Sequence, residues 1–174
     1  DEFAYLDTQY YGGIKKYQWV TMPLALHGVI AKKDGTVVKV NIGEDPSDPV
    51  FFISDLLIHL AQDQMQLTAA KLIDGENMDI VFGTQPLDSE SESAVKANVL
   101  KLLKDKYGIE EDDFWSAEIE AVPAGRAREA GLDRSLILGY GHDDRSCAYT
   151  SAVALFEVEN PKTTTCGLFV DKEE

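Results

Sequence analysis

The sequence predicts a mixed α+β chain, in which a β-barrel-like module with added helices is bracketed by pieces of an α/β domain. Three observations predict it. Two alternating runs flank the Lys33-Asp34-Gly35 turn, which marks an antiparallel hairpin in a small sheet or barrel. Residues 91–108 carry apolar side chains at helical spacing and end on a glycine. Residues 134–171 read as strand, helix and strand, the β-α-β unit of a parallel sheet.

Taken in order, residues 1–13 hold Phe3, Tyr5, Tyr10 and Tyr11 and then Gly12-Gly13. This is a strand feeding a tight turn or bulge, with its aromatics expected in the core. From Lys16 to Ile42 the pattern is β: YQWV, PLALHGVIA, the turn, then TVVKVNI with Val38, Val40 and Ile42 on one face. Residues 43–49 (GEDPSDP) form a loop, because Pro46 and Pro49 lack an amide donor and have a locked φ. Ser54 is expected to cap a helix with Asp55 in its first turn and Ile53, Leu56, Leu57, Leu60 and Ala61 as its apolar stripe. His59 sits beside that stripe and, taken alone, reads as a surface or boundary residue. Residues 79–82 (DIVF) suggest a short strand, and residues 84–93 a polar, mobile connection.

The helix that starts near Ser91 is expected to bury Val95, Val99, Leu102 and Leu103. Acids open it, while Lys101, Lys104 and Lys106 sit at its end before Gly108, as the helix dipole favours. Residues 114–122 (FWSAEIEAV) alternate as a half-exposed strand with Glu118 and Glu120 outward, and residues 123–133 form a loop. Residues 134–140 then read as a buried strand, 144–159 as a helix and 163–171 as the next, parallel strand.

The 31 acidic residues against 16 basic ones give a formal charge of −15. That balance argues against nucleic acid and anionic membrane surfaces as partners. Solubility is the simpler account of the charge, and a cation site the alternative. No apolar run approaches the roughly 20 residues a membrane-spanning helix needs. Cys147 and Cys166 make neither a disulfide framework nor a zinc-ligand spacing, so free core thiols in a reducing cytoplasm are expected. The chain opens without Met inside a strand-turn pattern and closes on Glu173-Glu174, which reads as an excised segment.

The chemistry lies in two acid clusters. The β-α-β reading brings Asp143, Glu173 and Glu174 to one sheet edge, where three carboxylates repel unless a cation sits among them. A hydrolytic two-metal centre wants a bridging carboxylate, further His, Asp or Glu ligands, and a base for the attacking water. Asp143 suits the bridge, and Asp144 suits a supporting position, orienting Arg145 or a ligand. Of Glu173 and Glu174, one would bind metal and the other take the proton. Surface charge is the competing account of all these acids. His142 reads as facing a neighbouring strand. Ser146 and Cys147 have no paired histidine, and no phosphate-cradling glycine loop is present.

Gly-His-Asp-Asp-Arg-Ser-Cys-Ala-Tyr at 141–149, followed by Asp-Lys-Glu-Glu at 171–174, resembles the aspartyl aminopeptidase / aminopeptidase I family of dinuclear zinc exopeptidases. Tyr11-Gly-Gly with Trp19 and residues 24–28 is similar to that family's entry segment, Leu57-Ile-His-Leu60 to its "LAIHL" helix, and Ala130-Gly-Leu-Asp-Arg-Ser135 to its return into the catalytic domain. The resemblance implies that Asp143 bridges two zinc ions, that Glu173 is the general base and that Glu174 binds one zinc. It implies that His59 reaches a neighbouring subunit's active site. It also implies that residues 9–132 are a dimerisation or lid domain, with residues 1–8 and 133–174 belonging to the catalytic domain. Peptide substrates and dimers built into dodecamers come with it.

The chain also departs from the pattern. The family's first ligand histidine would precede Asp1, and its later Asp and His ligands would follow Glu174. The chain by itself is therefore expected to hold metal weakly or not at all and to lack peptidase activity. Val20-Thr-Met-Pro-Leu24 stands where the family carries Asp-Arg, which leaves the substrate preference open. The rival reading is a non-catalytic oligomerisation module that contributes subunit contacts only.

Overall fold

A computed structural model describes residues 3–87 and 93–170. The chain divides into two compact units, Asp1–Gly125 and Arg126–Glu174.

The first unit is organised by the hairpin. Strand β1 spans Ala4–Leu6, β2 Leu24–Ala31, β3 Val37–Ile42, β4 Phe52–Ile53, β5 Ile80–Gly83 and β6 Ala117–Pro123, with helix α1 at Ala94–Tyr107. β2 is the central strand of a sheet ordered β3-β2-β6 and is antiparallel to both neighbours. Its register pairs Ala31 with Val37 across the Lys33-Asp34-Gly35 turn and Ile30 with Ala117 on the other side. Asp34 holds that turn by accepting the Thr36 amide at 2.9 Å, and this bond lowers the pKa of its carboxyl. Val40 and Ile42 are buried and Val38 half-buried, so the period-2 pattern points its apolar face inward as expected.

A second sheet, ordered β1-β5-β4, joins the first at one corner. Leu24 and Phe51 exchange backbone bonds there at 2.8 and 2.9 Å. The two sheets remain open: among the described residues nothing closes them into a barrel. Pro46 and Pro49 interrupt the chain between β3 and β4, so pairing resumes only for the two residues of β4. The core lies between the sheets and α1, built from Leu24, Leu26, Ile30, Phe51, Ile53, Met78, Ile80, Leu103 and Ile109. No described polar residue is fully buried.

α1 ends as its sequence indicates. Gly108 takes the left-handed conformation (φ 66°), and its amide and that of Ile109 reach back to the Lys104 and Leu103 carbonyls. The Lys32 ammonium donates to the Gly108 carbonyl and lies 3.5 Å from Asp113, which ties the β2–β3 turn to the helix end. Val95 and Leu103 are buried, but Leu102 is exposed, because the core-facing stripe is narrower than the sequence suggests. Ser91 lies outside the described residues.

Other expectations need correction. Residues 16–18 form a 3-10 turn, not a strand. Tyr5, Tyr10 and Tyr11 are exposed, not core; Tyr10 packs under the Lys16 ammonium at 5.1 Å instead. The strand expected at 114–122 begins at Ala117, because Glu110 and Asp113 form a capping box that winds Glu111–Ser116 into a 3-10 helix. Glu118 and Glu120 are exposed, as the alternation requires.

The helix expected from Ser54 does not form. Asp55 turns its carboxylate onto the Leu56 amide (2.8 Å) and the Gln64 side chain (2.9 Å), and the chain closes in i→i+3 turns, such as Leu60 N to Leu57 O at 2.9 Å. Of the supposed stripe, Ile53 and Ala61 are buried while Leu56, Leu57 and Leu60 are exposed, so tertiary packing does not support a helix.

In the second unit, β7 (Arg128–Ala130) and β8 (Leu136–Leu138) form an antiparallel hairpin, followed by α2 (His142–Phe156). β7 lies inside what the sequence reads as a loop. α2 matches the expected helix, but residues 164–170 take no strand, so the expected parallel β-α-β unit is not formed among the described residues. β8 pairs with β7 through the local turn, and it is exposed rather than buried. Cys147 and Cys166 are likewise free but exposed, not core thiols. No helix among the described residues is long and apolar enough to cross a membrane.

Candidate metal-binding turn

The candidate site is the turn from β8 into α2, and the preceding hairpin shapes it. Asp133 accepts both the Ser135 hydroxyl (3.0 Å) and the Ser135 amide (3.3 Å), and these bonds hold its carboxyl below the ordinary aspartate value. Arg134 Nη1 meets Glu129 Oε2 at 3.2 Å across the hairpin. β8 therefore leaves the turn in a defined register and delivers Gly139-Tyr140-Gly141 to the start of α2.

Gly141 is the N-cap of α2, with φ 75° and no side chain to cap the helix amides. Arg145 donates from Nη1 to the Tyr140 carbonyl at 2.7 Å and to the Gly141 carbonyl at 3.2 Å. Asp143 and Asp144 fall in the first helical turn, where the dipole and unpaired amides favour negative charge. Both are exposed. Asp143 Oδ1 accepts from the Cys147 thiol at 3.6 Å, one helical turn on, while the Asp143 carbonyl takes the Ser146 hydroxyl at 2.9 Å.

Glu173 and Glu174, expected beside Asp143, lie outside the described residues. His59 is exposed on the turn at 58–60 of the first unit. Among the described residues no three His, Cys, Asp or Glu side chains gather as a metal-ligand set. A zinc ion needs at least three protein ligands, so Asp143 suits it as one hard oxygen donor and the described residues do not complete the set. The pinning of this turn by Arg145 is the feature that motif reading passed over. Its one signal in the sequence is an arginine four residues beyond a glycine that starts a helix.

The family model for aminopeptidase I zinc metalloprotease (M18) matches residues 1–174. The chain belongs to the M18 aminopeptidase family. It is 58% identical over 174 residues to a probable M18 family aminopeptidase 1 of Clostridium acetobutylicum, covering 99% of this chain and 37% of that protein. It is 51% identical to the corresponding protein of Thermotoga maritima, covering 100% and 38%. In structure, this M18 chain resembles the crystal structure of the Thermotoga maritima aminopeptidase with a TM-score of 0.84 over 93% of the chain and 35% of that one. The aminopeptidase I structure from Clostridium acetobutylicum gives 0.80 over 92% and 35%. The chain thus spans little more than a third of the M18 relatives it matches.

Proposed function

We propose that the protein containing this chain is a zinc metalloaminopeptidase that removes N-terminal residues from peptides. The observation that carries the reading is the exposed Asp143 carboxylate in the first turn of α2, in a chain matched along its whole length by an M18 zinc-peptidase model. Asp143 would bridge two zinc ions, and Glu174 would bind one of them. Zinc when bound supplies Lewis acidity. Glu173 would take the proton of the attacking water on its carboxylate, and His59 would enter the active site of a neighbouring subunit. In this reading residues 9–132 are the dimerisation or lid domain, and residues 1–8 and 133–174 belong to the catalytic domain. Subunits pair and assemble into a dodecamer in the cytoplasm.

The test uses the full-length protein. Wild type should bind two zinc ions per subunit and hydrolyse aminoacyl p-nitroanilides. Asp143→Ala should lose metal, and Glu173→Gln should keep metal while losing kcat by roughly 100-fold or more. Full metal content and turnover in Asp143→Ala would refute the reading. The exposed run Leu56, Leu57, Ile58 and Leu60 favours a second role for the same chain, subunit contact without catalysis. Under that alternative Asp143→Ala leaves metal content unchanged, and Leu57→Asp dissociates the assembly.

A further inference from the structure

We propose that Arg145 is a positioning residue for Asp143: its guanidinium staples the turn between β8 and α2, and position 141 is glycine because the staple occupies the space of a side chain. This rests on the reading of Asp143 as a metal ligand.

The staple is visible in the hydrogen bonds. The Arg145 amide makes the first helical bond to the Gly141 carbonyl at 3.3 Å, and its side chain doubles back to the same carbonyl and to that of Tyr140. One residue thus gathers the last two carbonyls before the helix from both its backbone and its guanidinium. A Cβ built on Gly141 would lie 2.3 Å from Arg145 Nη1, so the flexible guanidinium would have to swing off the two carbonyls to admit it, and Gly141 also holds a left-handed φ of 75°. Gly141 and Arg145 therefore depend on each other.

Helix stability alone does not account for the arrangement. A serine, aspartate or asparagine at the N-cap would satisfy the free amides of α2 directly. A cation in the first turns of a helix opposes the dipole. The chain carries both disadvantages, and what they secure is the angle at which α2 leaves the turn. Asp143 sits two residues after Gly141, with its main chain inside the stapled segment, so that angle decides where its carboxylate is presented. Ligand groups held by supporting hydrogen bonds bind metal about 10–100-fold better than the same groups left free.

The test is made on the full-length protein loaded with cobalt(II) in place of zinc, measuring visible absorption and metal affinity by competition with a chelator. Arg145→Gln is expected to weaken metal binding roughly 10–100-fold and to change the cobalt spectrum. Gly141→Ala should reproduce both effects, because the added methyl displaces the guanidinium. Arg145→Lys, able to reach one carbonyl but not to span two, should fall between Arg145→Gln and wild type. The double variant should be no worse than either single one, since both remove the same staple. If Arg145→Gln does not fold, Gly141→Ala and Arg145→Lys carry the same comparison. Wild-type affinity and spectrum in the Arg145 and Gly141 variants, with metal lost in Asp143→Ala, would overturn the staple and leave the peptidase reading standing. Metal retained in Asp143→Ala would overturn both.

Discussion

Gly28→Ala should open the central sheet. Gly28 sits in the middle of β2, paired with Val40 on one side and Ile119 on the other, at φ 155°. A Cβ there would lie 1.9 Å from the Glu118 carbonyl oxygen and 2.8 Å from Ile119 Cα. Both contacts are backbone, so no side-chain rotation relieves them. Reaching an ordinary contact of roughly 3 Å means parting β2 from β6 by about 1 Å, which takes a ladder bond out of hydrogen-bonding range. Losing one or two such bonds at about 1 kcal/mol each, with overpacking of about 1–3 kcal/mol, predicts a cost of about 2–5 kcal/mol. At a tenfold change per 1.36 kcal/mol, amides of β2 and β6 should exchange with deuterium at least ~30-fold faster than in wild type. Hydrogen–deuterium exchange of the full-length protein, read by mass spectrometry on peptides covering both strands, measures this. Gly35→Ala is the control: φ is 85°, but nothing lies within 4 Å of the added Cβ, so only the left-handed penalty of about 1–2 kcal/mol applies. Exchange in Gly28→Ala no faster than in Gly35→Ala would refute the close-approach argument.

Three further predictions concern packing and charge. Ile80→Ala removes a side chain only 1% exposed at the start of β5 and should cost about 2–5 kcal/mol, seen as faster exchange in β1, β4 and β5. The Lys104 ammonium, 2.7 Å away, holds the Glu110 carboxyl below the ordinary glutamate value. Its contribution to stability is therefore present above the usual carboxylate range and lost as pH falls through the lowered value. The pair is exposed and the contribution small, so the readout is the titration: in Lys104→Met the Glu110 carboxyl signal should titrate at higher pH, and an unmoved midpoint would contradict the assignment. Ser135→Ala should likewise raise the Asp133 titration midpoint toward the ordinary value, though not fully, because the Ser135 amide still donates to it.

The sequence alone determined whatever local chemistry settles. The β2–β3 hairpin follows from its turn residues and alternation. The end of α1 follows from Gly108, and the presence of α2, though not its start at His142, from the helical reading of residues 144–159. The family was also legible, because Gly-His-Asp-Asp-Arg and Leu57-Ile-His-Leu60 are contiguous motifs that need no fold to be recognised. Tertiary structure decided the elements that depend on what lies opposite them. Residues 54–61 carry a helical stripe of which Leu56, Leu57 and Leu60 stay exposed, so Asp55 turns the backbone onto its own side chain and a turn results. Residues 134–140 look like a buried parallel strand, yet the 131–135 turn pairs β8 with β7 first. Burial of Tyr10 and Leu102 failed for the same reason: periodicity names a face, but only a packed neighbour buries it. The link from Arg145 back to two carbonyls was invisible for a different reason. A side chain's choice between solvent and backbone is a matter of ångströms, and residue spacing along a chain does not encode it.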